Sequence, residues 1–513
     1  EAAMSETTQV KEPPSGPSAP QAGLGLAALI AIVVGSMIGS GIFALPSQMA
    51  GSAAPGPLLI GWVITGVGML TLAFVFQTLA ERKPDVDGGV YGYARAGFGN
   101  YVGYTSAFGY WASAWMGNVA YLVLLFSTLG YFFPTFKGGT TLPAIVGASV
   151  LLWIVHFLTL RGVQTAAFVN VIVTIAKIVP IVTFIGVAIV GFKAGLFTAD
   201  FWGHHTEVDG EPLGSNMNQV KNMMLVTVWV FIGIEGAAVY SQRARSRTDV
   251  GKATVVGFLA VLGLLLAVNF LSYGLMHQAD IAGLSDPSMA GLMEQQVGSW
   301  GAGFISIGLI ISLLGALLAW VMLCAEIMRI PAQDAVMPEV FGRENRHGSP
   351  AAALWLTNGC IQVVLVLTLF AESTYLGLVL LATSLILLPY LWSAAYQLLL
   401  AVRGETYEGG QGRAKDLVIG AVSLIYAIWL VYAGGLEYLL TGAVAYFVGS
   451  ILFVWARREK ALPIFTKAEW VLFAVVAVAA SGLAPIAAAA IRRPSEMIAA
   501  CHIASSNCRC CAG

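Results

Sequence analysis

Long apolar segments recur along the whole chain, separated by short polar or glycine-rich stretches. Most run for about 20 residues, the length of α-helix that crosses a hydrocarbon core of about 30 Å. Because lipid offers no hydrogen-bond partner to the backbone, these segments are predicted to be helices. The pattern predicts twelve spans, at residues 24–49, 56–80, 100–133, 142–160, 163–192, 219–241, 253–277, 299–330, 352–370, 375–402, 416–433 and 436–456. A thirteenth span is left open at 469–491.

Composition supports the same interpretation. Of the 513 residues, 58% are hydrophobic and 10% are charged, whereas a soluble domain carries roughly 25% charged residues. No water-soluble fold could bury so much apolar surface, so the expected fold class is an all-α polytopic membrane protein in contact with the lipid bilayer. The net charge is −1. Because binding to nucleic acid would need a basic domain or stripe, no nucleic-acid partner is expected.

The two ends of the chain differ from the rest. Residues 1–22 are polar and proline-rich, lack the pattern of a cleaved signal peptide, and are interpreted as a disordered cytoplasmic N-terminus. Residues 492–513 are an atypical cysteine-rich tail ending in CHIASSNCRCC. Thiolates and imidazole are good zinc ligands, but the spacing fits no zinc-knuckle pattern, and neither a metal nor a cofactor is expected.

Lysine and arginine are unevenly distributed among the predicted loops. If the N-terminus lies in the cytoplasm, most of them lie inside, including the run RARSRTDVGK after the sixth span. The opposite loops hold Lys137, Lys193 and Lys221. The positive-inside rule therefore predicts a multi-pass protein of the bacterial cytoplasmic (inner) membrane with its N-terminus in the cytoplasm.

Two predicted spans carry glycine and polar residues at mid-depth. They are GSMIGSGIF at 35–43, in the first span, and FIGIEG at 231–236, in the sixth. One such glycine pair is typical of close helix packing, but two interruptions five spans apart are typical of inverted five-helix repeats with discontinuous helices. We therefore expect a first repeat over 23–192, a second over 219–402, and two further spans over 416–456.

Interrupted helices of this kind can bind an amino acid. The N–H groups at the start of a half-helix suit a carboxylate, and the unwound carbonyls can accept an ammonium. Trp229 lies six residues before Glu235, Tyr110 and Trp111 lie in the third span, and Trp320 lies in the eighth. An aromatic face attracts a cation by about 0.5 to 2 kcal/mol where water is excluded. Each tryptophan taken alone is more often a packing or interfacial residue. The pattern favours a cationic amino acid as the substrate.

Three of the charged residues inside the predicted spans are candidates for a functional role, namely Lys177, Glu235 and Glu326. A charge near the centre of a spanning helix costs about 2.5 to 3.5 kcal/mol on the insertion scale, so each is a candidate for gating or proton coupling. Glu326 has a second interpretation, because Arg329 lies one turn away and could pair with it locally. The Lys177 side chain could instead extend to the membrane interface.

The motifs GSMIGSGIF, YWASAWMGN, WVFIGIEGA and LLAWVMLCAEIMRIPAQD occur in this order. With them the chain resembles the APC superfamily, specifically its basic amino acid/polyamine antiporter family, and within it the arginine/ornithine antiporters most. Lysine permeases and the arginine/agmatine antiporter are close to this group. The resemblance runs from about residue 23 to 467 and implies twelve core helices, ten of them in two inverted five-helix repeats (the APC/LeuT-type fold).

The resemblance also implies roles for residues at the two breaks. Ser40 and Gly41 would contact the substrate carboxylate, while Ile232 and Gly233 would offer carbonyls to its amine. Ser36 stands where the arginine/agmatine relative has asparagine, so a side-chain amide contact is replaced or lost. Two more residues of the first break are expected in the binding site, Ile38 and Gly39.

Aromatic and charged residues complete the implied site. Trp229 would close one end of the pocket, Trp320 would stack on the distal cation, and Tyr110 would close the periplasmic side. Glu235 matches a glutamate linked to proton sensing and gating. Some APC relatives place a lysine ammonium of span five where sodium-coupled carriers bind a cation, and Lys177 is expected to supply that charge and make transport sodium-independent.

The third span contributes the rest of the implied side-chain pocket. Asn118 would hydrogen-bond the substrate side chain. Ser113 and Ala114 stand where the arginine/agmatine relative has alanine and cysteine. The preference of the distal pocket therefore does not carry over from that relative.

These features predict an arginine/ornithine antiporter that works by alternating access, with lysine as a further candidate substrate. A proton-coupled lysine/arginine permease and an arginine/agmatine (polyamine) antiporter are the alternatives within transporters. A sensor would need a cytoplasmic output domain and a channel would need a continuous polar pore. No enzyme is expected, since His204 and His205 share a loop without matching metal ligands. A homodimer is left open.

Overall fold

The computed structural model describes residues 25–162, 167–235, 247–370 and 375–481. Almost all regular structure in these ranges is helical. The exception is a two-stranded antiparallel ribbon in which β1 (Glu207–Val208) pairs with β2 (Glu211–Pro212). The predicted all-α polytopic membrane protein is confirmed. Residues 1–22 and 492–513, for which a disordered N-terminus and an atypical tail were predicted, lie outside the described ranges.

The first half of the described chain contains nine α-helices. In chain order they are α1 (Leu26–Met37), α2 (Gly41–Ala50), α3 (Pro55–Arg82), α4 (Val90–Phe98), α5 (Asn100–Leu129), α6 (Leu142–Leu160), α7 (Ala167–Gly191), α8 (Ala194–Thr198) and α9 (Asn216–Trp229). A short 3-10 helix at Pro134–Phe136 lies between α5 and α6.

Nine more follow in the second half. They are α10 (Arg247–Ser272), α11 (Gln278–Ala282), α12 (Ser288–Val297), α13 (Ser299–Gln333), α14 (Ala351–Leu367), α15 (Tyr375–Arg403), α16 (Arg413–Ala433), α17 (Gly435–Glu459) and α18 (Lys467–Ser481). Two further 3-10 helices occupy Glu339–Gly342 and Glu408–Gly410.

Nine helices in the described ranges are long and apolar enough to cross a membrane: α3, α5, α6, α7, α10, α13, α15, α16 and α17. Helices α1 and α2 are bent by 44° relative to each other, and the pair is long and apolar enough to count as a tenth span. Helix α14 is a shorter apolar helix, and α9 ends inside the predicted sixth span. Each of the twelve predicted segments therefore contains a described helix.

The predicted thirteenth span begins as a helix. Helix α18 starts two residues before the predicted start at 469 and is described to Ser481. The rest of the predicted segment, to residue 491, lies outside the described ranges. The division of the chain into two inverted repeats and additional spans stays a prediction.

Helix α5 is at the centre of the bundle and packs along α15 and α13. Around it, α1 packs on α10 and α16 packs on α15. The outward faces carry large exposed apolar side chains, among them Val190, Val182, Ile425 and Ile451. In water such a surface would be unfavourable, but in a bilayer it contacts acyl chains, and the bundle interior remains for polar residues.

Candidate functional site

The first span loses its helical hydrogen bonding between α1 and α2. In a continuing helix the Gly39 N–H would bond to the Gly35 carbonyl, but it bonds instead to the Met37 carbonyl at 2.9 Å. The Gly35 carbonyl is therefore released from the helix, and the N–H groups that begin α2 have no helical partner. In a membrane such groups need another partner or a cavity that they line.

The second break lies directly against the first. Helix α9 ends at Trp229, and residues 230–235 form successive turns. Gly233 has φ +108°, and a Cβ there would lie 2.9 Å from the Ser36 carbonyl oxygen, so this position requires glycine. The Ser36 hydroxyl is 2.9 Å from the carbonyl oxygens of both Val33 and Gly233. Ser36 therefore links the two interrupted segments.

A narrow cavity of about 20 Å³ lies between the two breaks. Its wall contains most of the residues predicted to bind substrate: Ser36, Gly39, Ser40, Gly41, Tyr110, Ser113, Ala114, Trp229, Ile232 and Trp320. Three predicted residues are not part of this wall: Ile38, Asn118 and Gly233.

One end of the cavity is polar and closely packed. Ser40 and Gly41 stand at the start of α2, where N–H groups without helical partners and a partial positive charge are expected. A Cβ on Gly41 would lie 2.7 Å from Cγ1 of Val230 and 2.9 Å from Cδ1 of Trp229. Glycine therefore lets the two breaks approach each other at this end. The arrangement can hold an anion such as a carboxylate.

Aromatic rings form much of the remaining wall. Tyr110 and Tyr121 come from α5, Trp229 from the end of α9 and Trp320 from α13. Trp229 also meets Tyr121 edge-on, with ring centroids 6.1 Å apart. Faces of such rings attract cations where water is excluded. The predicted tryptophans thus lie in the bundle interior rather than in the lipid-facing surface.

Asn118 lies behind the wall rather than in it. Its side chain is fully buried, and Nδ2 lies 3.7 Å from the Cys324 sulfur. Its Oδ1 atom has no hydrogen-bond partner within the described residues. Asn118 is one turn along α5 from Ala114, which does line the cavity. A contact with substrate would require its side chain to change rotamer.

Lys177 reaches the first break from α7. Its Nζ atom donates a hydrogen bond of 2.9 Å to the Gly35 carbonyl, the group released where α1 ends. The residue is 7% exposed. The side chain therefore points into the bundle and does not extend to the membrane interface.

Glu235 is buried at the second break. Its Oε2 atom accepts hydrogen bonds from the Gly233 N–H at 3.2 Å and from the Tyr390 hydroxyl at 3.1 Å. The Tyr110 side chain also interacts with this carboxylate, and Tyr110 lines the cavity. Glu235 is therefore connected to the cavity through Tyr110 and to α15 through Tyr390.

Glu326 is in a different environment. It pairs with Arg329 at 3.2 Å, and 50% of its side chain is exposed. Arg329 makes a second ion pair with Glu344 at 2.7 Å. This geometry matches the local ion pair that was one of the two interpretations of Glu326. The residue is not part of the cavity wall.

The structure adds wall residues that the sequence interpretation missed: Met37, Gly117, Tyr121 and Val230. Gly117 and Tyr121 follow Ala114 by three and seven residues on α5, so helical spacing alone could have placed them on the same face. Tyr375 was also missed. It lies 335 positions from Ser40 in sequence, and their hydroxyl oxygens are 2.8 Å apart.

The amino acid permease family model matches residues 24–476 of this chain. The chain belongs to the amino acid permease family. This confirms the resemblance inferred from the ordered motifs, and it agrees with a transporter rather than an enzyme. The matched region includes both breaks and every cavity-lining residue of the permease.

Curated permeases with full-length similarity include transporters of basic amino acids. The arginine/ornithine antiporter of Pseudomonas aeruginosa is 60% identical over 464 residues, covering 89% of this chain and 95% of the relative. The L-lysine transport protein of Corynebacterium glutamicum is 44% identical over 469 residues, covering 88% and 93%. The arginine/agmatine antiporter of Chlamydia abortus is 39% identical over 458 residues, covering 88% and 94%.

Proposed function

We propose that this protein exchanges cationic amino acids across the bacterial inner membrane by alternating access, with arginine and ornithine as the exchanged pair. The observation that carries the proposal is the cavity between the two breaks, which is polar at the start of α2 and lined by aromatic rings elsewhere. The 60% identity to an arginine/ornithine antiporter supports the choice of substrates.

The head group shared by all amino acids would bind at the polar end. N–H groups at Ser40 and Gly41 would receive the α-carboxylate, as half-helix N-termini do for anions. The α-ammonium would be held by the carbonyl at Ile232, which lines the cavity. The Gly233 carbonyl already accepts the Ser36 hydroxyl, so it would act mainly by holding the two breaks together.

The side chain would extend along the aromatic wall. Trp320 would stack on the guanidinium or ammonium, and Trp229 and Tyr110 would exclude water from the two ends of the pocket. A cation–π contact is worth about 0.5 to 2 kcal/mol depending on desolvation. Ser113 adds one hydroxyl at this wall and would help to select the distal group.

Exchange is inferred from the similarity to arginine/ornithine antiporters, and charge balance and two buried ionisable residues are compatible with it. When one monocation enters as another leaves, no net charge crosses the membrane, whereas uncoupled entry would gain about 2.3 kcal/mol per 100 mV. The empty carrier must therefore seldom reorient. Glu235, held between Tyr390 and the second break, would oppose reorientation of the empty state, and Lys177 would provide a fixed cation at the first break.

The membrane orientation belongs to the same proposal. The connections after α3 and α13 carry Arg95 and Arg343, and α13 itself ends near Arg329. By the positive-inside rule these connections would lie in the cytoplasm. With alternating spans, the N-terminus would then be cytoplasmic as well.

Counterflow in proteoliposomes tests the exchange. Vesicles loaded with ornithine are diluted into labelled arginine, and uptake is compared with vesicles loaded with buffer and with protein-free liposomes. We expect uptake that requires internal ornithine and that is inhibited by unlabelled arginine, ornithine and lysine but not by a neutral amino acid. Inhibition by the neutral amino acid as strong as by arginine would contradict the cationic specificity.

Proton-coupled uptake of lysine or arginine is the second candidate, and the similarity to an L-lysine transport protein supports lysine as a substrate. The same vesicles discriminate between the two. Uptake into substrate-free vesicles driven by an inward proton gradient would establish symport and remove the exchange proposal. Exchange against internal agmatine would instead point to polyamine antiport, as the name of the 39% identical relative suggests.

A further inference from the structure

Tyr375 begins α15 and meets the polar end of the cavity. Its hydroxyl oxygen lies 2.8 Å from Oγ of Ser40, and Ser40 lines the cavity at the start of α2. Tyr375 is 4% exposed and Ser40 is 1% exposed. A hydrogen bond that is this well shielded from water is electrostatically stronger than one at the surface.

Two aromatic residues of the cavity wall lie close to the Tyr375 side chain. Its side chain interacts with Trp229 and Tyr121, and these two rings contact each other edge-on. Both line the cavity, whereas Tyr375 itself is behind the wall. Tyr375 therefore reaches the binding site through Ser40 and not by direct exposure to it.

We propose that Tyr375 is the positioning residue for the substrate carboxylate, acting through the Ser40 hydroxyl. This inference rests on the proposed function, since it assumes that an amino acid binds with its carboxylate at the start of α2. It goes further by assigning a specificity role to a residue of α15. Carboxylate-bearing substrates would benefit from Tyr375, and decarboxylated amines would not.

The hydroxyl chemistry explains the direction of the effect. A serine hydroxyl has one hydrogen to donate and can accept at its lone pairs. If Ser40 donates to a carboxylate, its oxygen is free to accept the Tyr375 hydroxyl hydrogen, so the two bonds run in the same direction. Donors in such a chain polarise one another and strengthen the bond to the anion. Without the phenol, Ser40 can turn towards other acceptors and is no longer fixed for the substrate.

A double-substitution cycle tests this in proteoliposomes that exchange arginine for internal ornithine. Tyr375→Phe and Ser40→Ala are each expected to raise the concentration of arginine for half-maximal uptake about tenfold, with maximal rate changed much less. The double variant should be no worse than Ser40→Ala alone, because Tyr375 acts through Ser40. Independent effects that multiply in the double variant would overturn the proposal.

Tyr446→Phe is the matched control. Tyr446 is also 4% exposed, and its hydroxyl donates to the Leu385 carbonyl at 2.8 Å, outside the cavity wall. This variant should keep the wild-type arginine affinity. If it loses as much affinity as Tyr375→Phe, the effect is a general consequence of deleting a buried hydroxyl and the proposal is wrong.

Competition by agmatine, which lacks the carboxylate, gives a second readout. Tyr375→Phe should leave its inhibition constant unchanged while raising that of unlabelled arginine, and a parallel rise in both would contradict the assigned role. Failure of the proposed function looks different, since the wild type itself would then show no arginine uptake that depends on internal ornithine. Wild-type exchange together with unaltered arginine affinity in Tyr375→Phe would overturn only the Tyr375 inference.

Discussion

The ammonium of Lys177 donates a 2.9 Å hydrogen bond to the carbonyl of Gly35, the group that α1 releases where its helix ends. A span that breaks in lipid leaves carbonyls in need of a partner. Here a lysine from another span, 142 positions away in sequence, provides it. The contact connects α7 to the first break, so changes at this carbonyl would affect the adjoining binding cavity.

Lys177→Ala should therefore impair transport strongly. The partly buried Gly35 carbonyl would lose its partner at a cost of about 1 to 3 kcal/mol, and the space left by the side chain could admit a small cation. We expect arginine exchange to fall at least tenfold in sodium-free buffer and to recover partly in sodium. The measurement is initial uptake in matched sodium and choline buffers.

Lys137→Ala is the control for this variant, since Lys137 is exposed in the connection between α5 and α6. It should transport like the wild type in both buffers. Normal transport by Lys177→Ala, with no new response to sodium, would exclude the role assigned to this lysine.

Gly233→Ala should distort the meeting point of the two breaks. At φ +108° a non-glycine residue is strained, and the added Cβ would lie 2.9 Å from the Ser36 carbonyl oxygen. Strain of this kind costs about 1 to 3 kcal/mol. We expect a lower unfolding temperature in detergent together with a loss of arginine exchange.

Gly186→Ala provides the comparison for Gly233→Ala. Gly186 lies within α7, and nothing lies within 4 Å of a Cβ added there. Replacing a glycine inside a helix should stabilise the protein by about 0.5 to 1 kcal/mol. Equal unfolding temperatures for the two alanine variants would show that the backbone at Gly233 is not strained.

Much of this site could be predicted from the sequence because the signals are local. Glycine and polar residues at mid-depth marked both breaks, and Ser40, Gly41 and Trp229 all line the cavity. Ser36 shows where local information ends. The substitution for asparagine predicted a replaced or lost amide contact, but only the fold reveals that its hydroxyl reaches the Gly233 carbonyl.

Long-range partners could not be predicted in the same way. The pairing of Ser40 with Tyr375 depends on where the tertiary fold places the first residue of α15, and no spacing in the sequence encodes it. The same is true of Tyr390 on Glu235. Glu326 has a local partner instead. Arg329 lies one turn away in the sequence, and the structure shows the ion pair between the two residues.

Trp320→Leu should weaken recognition of the cationic end of the substrate. Leucine keeps an apolar wall but removes the ring face, so about 0.5 to 2 kcal/mol of cation–π attraction would be lost. We expect the concentration of arginine for half-maximal exchange to rise about 2- to 30-fold, while Trp320→Phe retains part of the affinity. Citrulline, a neutral isostere of arginine, should compete only weakly at high concentration, and to the same extent with the variant as with the wild type.

Trp300→Leu is the control for the tryptophan series. Trp300 lies in the first turn of α13 and is 61% exposed, so its removal should not alter arginine affinity. If Trp320→Leu weakened arginine and citrulline to the same extent, Trp320 would be acting by packing alone and the cation–π role would be rejected.

Asp286, in the connection between α11 and α12, should make stability depend on pH. Burial raises the pKa of its carboxyl from 3.8 to about 7, while the Ser47 hydroxyl, 3.5 Å from Oδ1, acts in the opposite direction. Between about pH 4 and 7 the folded protein therefore holds a proton that the unfolded chain releases, so stability falls as the pH rises and levels off above about 7.

Asp286→Asn stays neutral and should flatten this part of the stability curve, whereas the exposed Asp280→Asn should not. Thermal unfolding in detergent from pH 4 to 8.5 measures all three proteins, and parallel wild-type and Asp286→Asn curves would show that the Asp286 carboxylate is fully solvated.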